Sequence, residues 1–450
     1  MECENRIKTD NTFLLCTDAH QDHPRFEQRL REELEYIKTS FCGVIIRDVM
    51  QHSASMCDGY YYLCGDVSIS WPKIKNFRNS RIFVIKELSY NFDQDAISRE
   101  AEFVTTGQVP IDIHGQGVYF RRLFDQNDKD YFGSISEREH VFQNLTESTK
   151  SGSALRKGIY LSPVSETETQ DERHFRLLRC STNFDGPTDN FRSTDHEIVQ
   201  KVKTASETCF DYPADFNHVL AQVYHNTPYS RNSSSNEEIS NASDFPHAVS
   251  EEGNEMNKKE RKASIKAHSD KTKDMPRSAL IAFATFYNFE NCPIERDVVR
   301  DNFDVRYKNV SLLTKLEFRL KKDALRDNID ESKLIRRFSV TLYPNSVFMI
   351  PLSTNRLYTH EIKPASLPAD KIPTRLGYVV RCSRTRAVFT NGNTFIEHED
   401  KKRVPLHEMS EEEANALRSD YFKENTTTDV MNYGDLYSSM NRGDYLKPVL

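Results

Sequence analysis

The sequence predicts an α+β protein with a mainly β core: a double-stranded β-helix (jelly roll) with flanking helices and an N-terminal α+β region. Three observations predict it. Short apolar runs recur from residue 279 onward with turn residues between them and no alternating helices, which favours a closed antiparallel arrangement over a parallel α/β sheet. Helical apolar stripes occur only outside that region. Polar residues sit inside the apolar runs at even spacings, so each set shares one face of a strand.

The elements follow in chain order. Residues 25–38 carry Phe26, Leu30, Leu34 and Ile37 among charges, the spacing of a helix that buries one stripe. Between about 40 and 190, runs such as GVIIRDVM, RIFVIKELSY, GVYFRRLF and HFRLLRCS alternate with polar turns. Residues 1–190 are therefore read as an α+β region whose task the sequence does not declare. Residues 194–209 form an amphipathic helix with Thr194 or Asp195 as N-cap. A second unit, 191–395, contains a Ser/Asn/Glu-rich stretch, 230–257, that is too poor in apolar residues to pack and is expected to be a disordered insertion. Strands are expected at 279–287, 311–320, 337–343, 346–352, 377–382 and 387–390. In the tail, 396–450, Ser410 and Glu413 form a capping-box signature that opens a short helix to about Phe422.

Composition narrows the setting. With 450 residues, 37% of them hydrophobic, the chain can build more than one core. The nine cysteines are scattered and form no CxxC pair, which argues against a disulfide framework and a structural zinc site and for a reducing compartment. No stretch is long and apolar enough for a signal sequence or a membrane span. A soluble, cytoplasmic or nuclear protein with no membrane partner is expected. A net charge of -7 gives no global attraction to phosphate backbones, so nucleic acid would have to meet a local basic patch.

The chemistry lies in three histidine-x-acid triplets, about two of which chance alone would supply. His20-Gln21-Asp22 precedes a helix in polar sequence, and His398-Glu399-Asp400 comes too late for further strands to return to it; both read as solvated surface. His268-Ser269-Asp270 is followed by several strands and then by His360. In extended backbone His268 and Asp270 point the same way, and a barrel can bring a later strand end beside them. Two imidazoles and a carboxylate on one face of an ion, with positions left open, suit Fe(II). Arg375 and Arg381 are six positions apart, hence on one side of a strand, with Gly377 leaving space between them. Two arginines turned into a barrel demand an anion, and a dicarboxylate could use both. The alternative is a solvent-facing edge strand.

In order along residues 214–390, the segments FNHVLAQVY, IKAHSDKTKDMP, PNSVFMIPLSTNRLYTHEI and RLGYVVR resemble the AlkB-like branch of the 2-oxoglutarate/Fe(II) oxygenases. The resemblance implies His268, Asp270 and His360 as iron ligands. It also implies Tyr224 as a hydrogen-bond donor to 2-oxoglutarate, with Gln222 where the family usually has asparagine, Arg375 on the distal carboxylate, and Arg381 near the carboxylate beside the metal. The co-substrates would be 2-oxoglutarate and O2, and the reaction an oxidative demethylation of an alkylated base in DNA or RNA. The N-terminal region would then contribute to a substrate lid. Thr272 departs from the pattern, standing where some nucleic-acid dealkylases carry an acid.

Local support for a nucleic-acid substrate is residues 258–277, with eight basic residues against three acids; the bland alternative is a solvated loop flank. Phe283, Phe286 and Tyr287 read as core and not as base-stacking residues. Hydroxylation of a protein side chain or small metabolite keeps the same chemistry with another substrate. A non-enzymatic jelly-roll binding module is the third reading.

Overall fold

The computed structural model describes residues 3–17, 27–47, 58–77, 79–124, 129–146, 153–167, 171–180, 185–226, 260–295, 301–325 and 334–450. The stretch 230–257 and the triplet at 20–22 lie outside the described residues.

The N-terminal part is a five-stranded, wholly parallel sheet. Its strands are β1 (Thr12–Cys16), β2 (Val44–Ile46), β3 (Tyr60–Asp66), β4 (Arg81–Tyr90) and β5 (Ala101–Val104), in the order β2-β1-β3-β4-β5. Helix α1 (Gln28–Ser40) buries Leu34 and Ile37 with Leu14, Tyr62 and Ile85, whereas α2 (Val67–Ile74) packs with Leu15, Leu63 and Val84 on the other face. Strands covered on both faces favour continuous apolar runs, and residues 13–16 and 61–64 are such runs, buried throughout. The sequence predicted strands here but not their parallel, two-sided arrangement.

The larger part is built from two antiparallel sheets that face each other. The strands that matter are β6 (Val118–Phe120), β7 (Ser153–Ser162), β8 (His218–Tyr224), β9 (Ile265–His268), β10 (Leu280–Asn288), β11 (Lys315–Leu320), β12 (Arg337–Thr341), β13 (Ser346–Pro351), β14 (Tyr358–Lys363) and β15 (Thr374–Arg381). The large sheet runs β7-β8-β15-β10-β13-β6, and the small one β9-β14-β11-β12. From β8 to β15 the chain visits large, small, large, small, small, large, small, large. Aromatic side chains close the space between the sheets, with Phe318 edge-on to Phe348 at 5.7 Å. Because β6 and β7 belong to the large sheet, it draws on both sides of residue 190, and one continuous apolar core joins it to a face of the parallel sheet.

Three helices frame this body. Helix α3 (Ser193–Glu207) starts one residue before the expected first position: Arg192 is its N-cap, and Asp195 sits in the first turn, accepting the Arg192 amide at 2.7 Å. The preference of Asp for helix starts is satisfied by that reach backward to the cap amide, so Thr194 and Asp195 are helical residues and not the cap. Helix α4 (Leu352–Leu357) bridges β13 and β14. Helix α5 (Glu411–Thr426) has the expected reciprocal capping box, Glu413 N–H to Ser410 Oγ at 3.1 Å and Ser410 N–H to Glu413 Oε2 at 2.8 Å, and runs past Phe422. The mixture is α+β and mostly sheet. Among the described residues no helix is long and apolar enough to cross a membrane.

Candidate metal centre

His268 ends β9 and is paired in register with His360 on β14, which puts the two imidazoles on neighbouring strands with ring centroids 4.5 Å apart. Asp270 follows two residues on. Its Oδ1 lies 3.5 Å from His268 Nε2 and 3.6 Å from His360 Nε2. One ligand atom from each of the three fits within 4.8 Å of the others, the compactness a single ion requires. His268 Nδ1 lies 2.9 Å from the Lys266 carbonyl; an N–H there leaves Nε2 free as a ligand. His360 is buried, and burial, with His268 beside it, pushes its pKa down to about 3, so it is neutral at physiological pH. Burial alone would raise Asp270, but the His268 hydrogen bond, the Arg381 guanidinium and His360 outweigh it and hold the carboxyl well below the usual range. A neutral His360 and an ionised Asp270 are protonation states that bind a divalent cation.

The turn carrying Asp270 is clamped by residues the sequence did not single out. Asn355 on α4 accepts the Asp270 amide and donates to the Asp270 carbonyl, both at 2.9 Å. Asn425 at the end of α5 accepts the Ser269 amide at 2.8 Å, and Glu424 accepts the Thr272 amide at 3.0 Å and its hydroxyl at 2.5 Å. An Asn in a short helix carries no sequence signal for this, and the capping box announced α5 without revealing that its far end reaches the loop.

The even spacings hold on β8 and β15. Gln222, Tyr224, Arg375, Gly377 and Arg381 all line the one cavity that His268, Asp270 and His360 line, together with Phe283. Tyr224 is the cross-strand partner of Arg375, and Gln222 of Gly377. The Arg375 guanidinium stacks 3.9 Å from the Tyr224 ring centroid, and Tyr224 donates its hydroxyl to Gln222 Oε1 at 3.0 Å. A Cβ on residue 377 would fall 2.9 Å from Arg375 Nη1 and 3.1 Å from Tyr224, so the glycine makes room for that stack.

Both arginines are buried, 4% and 2% exposed, and among the described residues Nε and Nη2 of each have no hydrogen-bond partner. Arg381 Nη1 lies 3.6 Å from Asp270 Oδ2 and 3.2 Å from Cys180 Sγ, a neighbour that nothing in the sequence pointed to. Buried guanidinium groups with unmet donors cost several kcal/mol unless an anion joins them.

Other expectations fall as follows. His398 meets Tyr437 and Asp400 caps a turn at Lys402, so that triplet belongs to a surface turn. Phe286 is a core residue and Tyr287 is half-buried, donating to the Leu342 carbonyl; Phe283 faces the cavity, 5.3 Å from the His360 ring. In the basic stretch, Lys258 and Lys259 lie outside the described residues, and Lys271 and Lys273 are turned inward; Lys271 bonds the Tyr421 carbonyl and Asn425. The stretch is thus only partly an outward-facing rim.

A second cluster, Glu139, His140 and Asp195, also has metal-binding composition. There both ring nitrogens of His140 are engaged, with Asp189 at 2.9 Å and Asp195 at 2.7 Å, and Asp195 also accepts the Tyr378 hydroxyl at 2.6 Å. Burial works against protonation, but hydrogen bonds to Asp189 and Asp195 push the His140 pKa up to about 9. A protonated imidazole has no lone pair to offer, so this is an ion-pair network.

No known family and no curated protein matches the chain. Among solved structures, one titled "The structure of OsALKBH1" aligns over 61% of this chain and 99% of its own, at 11% identity and a TM-score of 0.31.

Proposed function

We propose that the chain is an Fe(II)- and 2-oxoglutarate-dependent dioxygenase of AlkB-like type that oxidatively demethylates an alkylated base in DNA or RNA. The observation that carries the proposal is the meeting, in one cavity, of a compact two-His, one-carboxylate set with two buried guanidinium groups whose donors are unmet. The strand itinerary between the sheets supports a double-stranded β-helix as the frame. In this reading the catalytic unit is residues 191–395, with β6 and β7 widening its large sheet.

His268, Asp270 and His360 would hold the metal. When bound, iron supplies the activation of O2 that couples decarboxylation of 2-oxoglutarate to oxidation of a substrate C–H bond. Arg375, kept flat on Tyr224 by the gap at Gly377, takes the distal carboxylate of 2-oxoglutarate through its fork. Tyr224 and Gln222 supply a hydroxyl and an amide beside it. Arg381 spans from Asp270 toward the co-substrate's other carboxylate, fixing the metal ligand and the anion together. Phe283 and Leu220 line the apolar wall and exclude water.

The test is succinate production by anaerobically purified, Fe(II)-loaded protein given 2-oxoglutarate and O2, with and without methylated single-stranded DNA or RNA. Stimulation with formaldehyde release, absent in His268→Ala, is the expected result. Turnover indifferent to nucleic acid would move the substrate to a protein side chain or small metabolite, a reading favoured by the net charge of -7. No turnover and no iron binding would leave a binding module.

A further inference from the structure

A cavity of about 560 Å3 lies beside the metal loop, and it shares Lys273, Arg384 and Gly434 with a neighbouring one of about 340 Å3. Neither contains the metal ligands. Arg176 and Arg386 both line the larger cavity, and they are direct cross-strand partners in the antiparallel pair of Arg173–Leu177 with Thr385–Thr390. Like charges placed directly opposite each other destabilise a sheet. Arg384 adds a third guanidinium. Among the described residues none of the three side chains has an ion pair or hydrogen bond.

The second, independent observation is Lys273. It is 8% exposed, lines both cavities, and its Nζ is buried with no hydrogen-bond partner among the described residues. Burial pushes its pKa down to about 8, so the ammonium is both costly and unmet. Of the carboxylates around the cavity, Asp274 is committed to Arg179 at 2.6 Å and Glu397 to Arg403 at 3.3 Å. Asp215, Glu399 and Asp435 remain. Burial first and then Arg386 lower the Arg176 pKa, against the opposing pull of Asp215.

We propose that this cavity is a phosphate-binding site, in which Arg176, Arg384 and Arg386 close over a phosphate or phosphodiester group with Lys273 beneath it. Three forked guanidinium groups and an ammonium offer donors in several directions, which matches a tetrahedral anion with four oxygens better than a planar carboxylate. Lys273 is three residues beyond Asp270 and Arg384 three beyond Arg381, so a bound phosphate flanks the metal loop. The site itself stands apart from the oxygenase assignment; a strand backbone as its occupant rests on that reading.

The experiment uses the full chain without iron or 2-oxoglutarate, so its outcome does not depend on turnover. Thermal midpoints are measured in inorganic phosphate and in chloride at equal ionic strength for wild type, Arg386→Gln, Arg176→Gln and Lys273→Met. A labelled single-stranded oligonucleotide is titrated in parallel across a salt series. Phosphate is expected to raise the wild-type midpoint beyond its effect on any variant, and Arg386→Gln, relieved of the opposed charge, should melt higher than wild type in chloride. Oligonucleotide affinity should fall about tenfold in each arginine variant, with the salt slope shallower by about 0.7 for each phosphate no longer neutralised. Competition between phosphate and the oligonucleotide identifies a backbone phosphodiester as the occupant. A phosphate response that disappears in the variants while all bind oligonucleotide alike identifies a free phosphate group. Equal phosphate responses in wild type and all three variants overturn the site.

Discussion

The parallel N-terminal sheet and the facing antiparallel sheets bury their interiors by opposite means. Between its helices the first has only apolar and weakly polar side chains, such as Leu14, Leu15, Tyr62 and Leu63, all 3% exposed or less. The second buries His360, Arg375 and Arg381 just as deeply. A core needs no buried charge, as the parallel sheet demonstrates, so the guanidinium groups between the other two sheets are held at a cost in stability that the proposed co-substrate would offset. The contrast separates residues that make the fold from residues that make the site.

The largest expected effect is on the charged side of that contrast. Asp270→Ala should abolish iron binding and reduce turnover by more than about 10³-fold, read by metal content after gel filtration and by succinate formation. Wild-type turnover in this variant would end the metal assignment. On the apolar side, Leu63→Ala should cost about 2–5 kcal/mol in denaturant unfolding and leave the iron affinity of the folded protein unchanged. Asn355→Ala, which removes both hydrogen bonds to the Asp270 backbone, should weaken iron about 10–100-fold while the 2-oxoglutarate affinity of the metal-loaded protein changes far less.

Arg375→Met sharpens the comparison because its two effects have opposite signs. Removing an unmet buried charge should stabilise the ligand-free protein by about 1–4 kcal/mol, and the stabilisation by added 2-oxoglutarate should vanish. A variant that simply destabilises would place Arg375 among the structural residues.

The smallest effect concerns His140. Its pKa is raised to about 9 in the folded protein, against about 6.5 when unfolded. The raised value means its contribution is complete below about pH 6.5 and is lost as pH rises through about 9. His140→Gln should flatten that part of the stability profile, measured by unfolding at a series of pH values.

What the sequence disclosed follows the same division. Residues that share a strand face by even spacing were legible: Gln222 with Tyr224, and Arg375 with Gly377 and Arg381, all reach the cavity. His360 was legible through its distance from His268 and the strands between them. Illegible were contacts that depend on which elements meet in space. Cys180, Asn355 and Glu424 touch the site from three separate parts of the chain, and short polar side chains in turns and helix ends have no periodicity to mark them. The parallel sheet was obscured for another reason: strands covered on both faces lose the alternation that identifies strand direction and sidedness. Nothing in the charge run marks Lys271 and Lys273 as inward, since such a run ordinarily stays in water; α5 covers Lys271 through Tyr421 and Asn425, and Lys273 is buried.

The clamp from Asn425 to the Ser269 amide spans 156 residues of sequence. A ribosome adding about 5–20 residues per second makes His268 and Asp270 roughly 8–30 s before it makes the residue that fixes the turn between them. During that interval the nascent chain has His268 and Asp270 without the clamp that sets their geometry, so the metal capture proposed above would wait until residue 425 has emerged and folded back onto the turn.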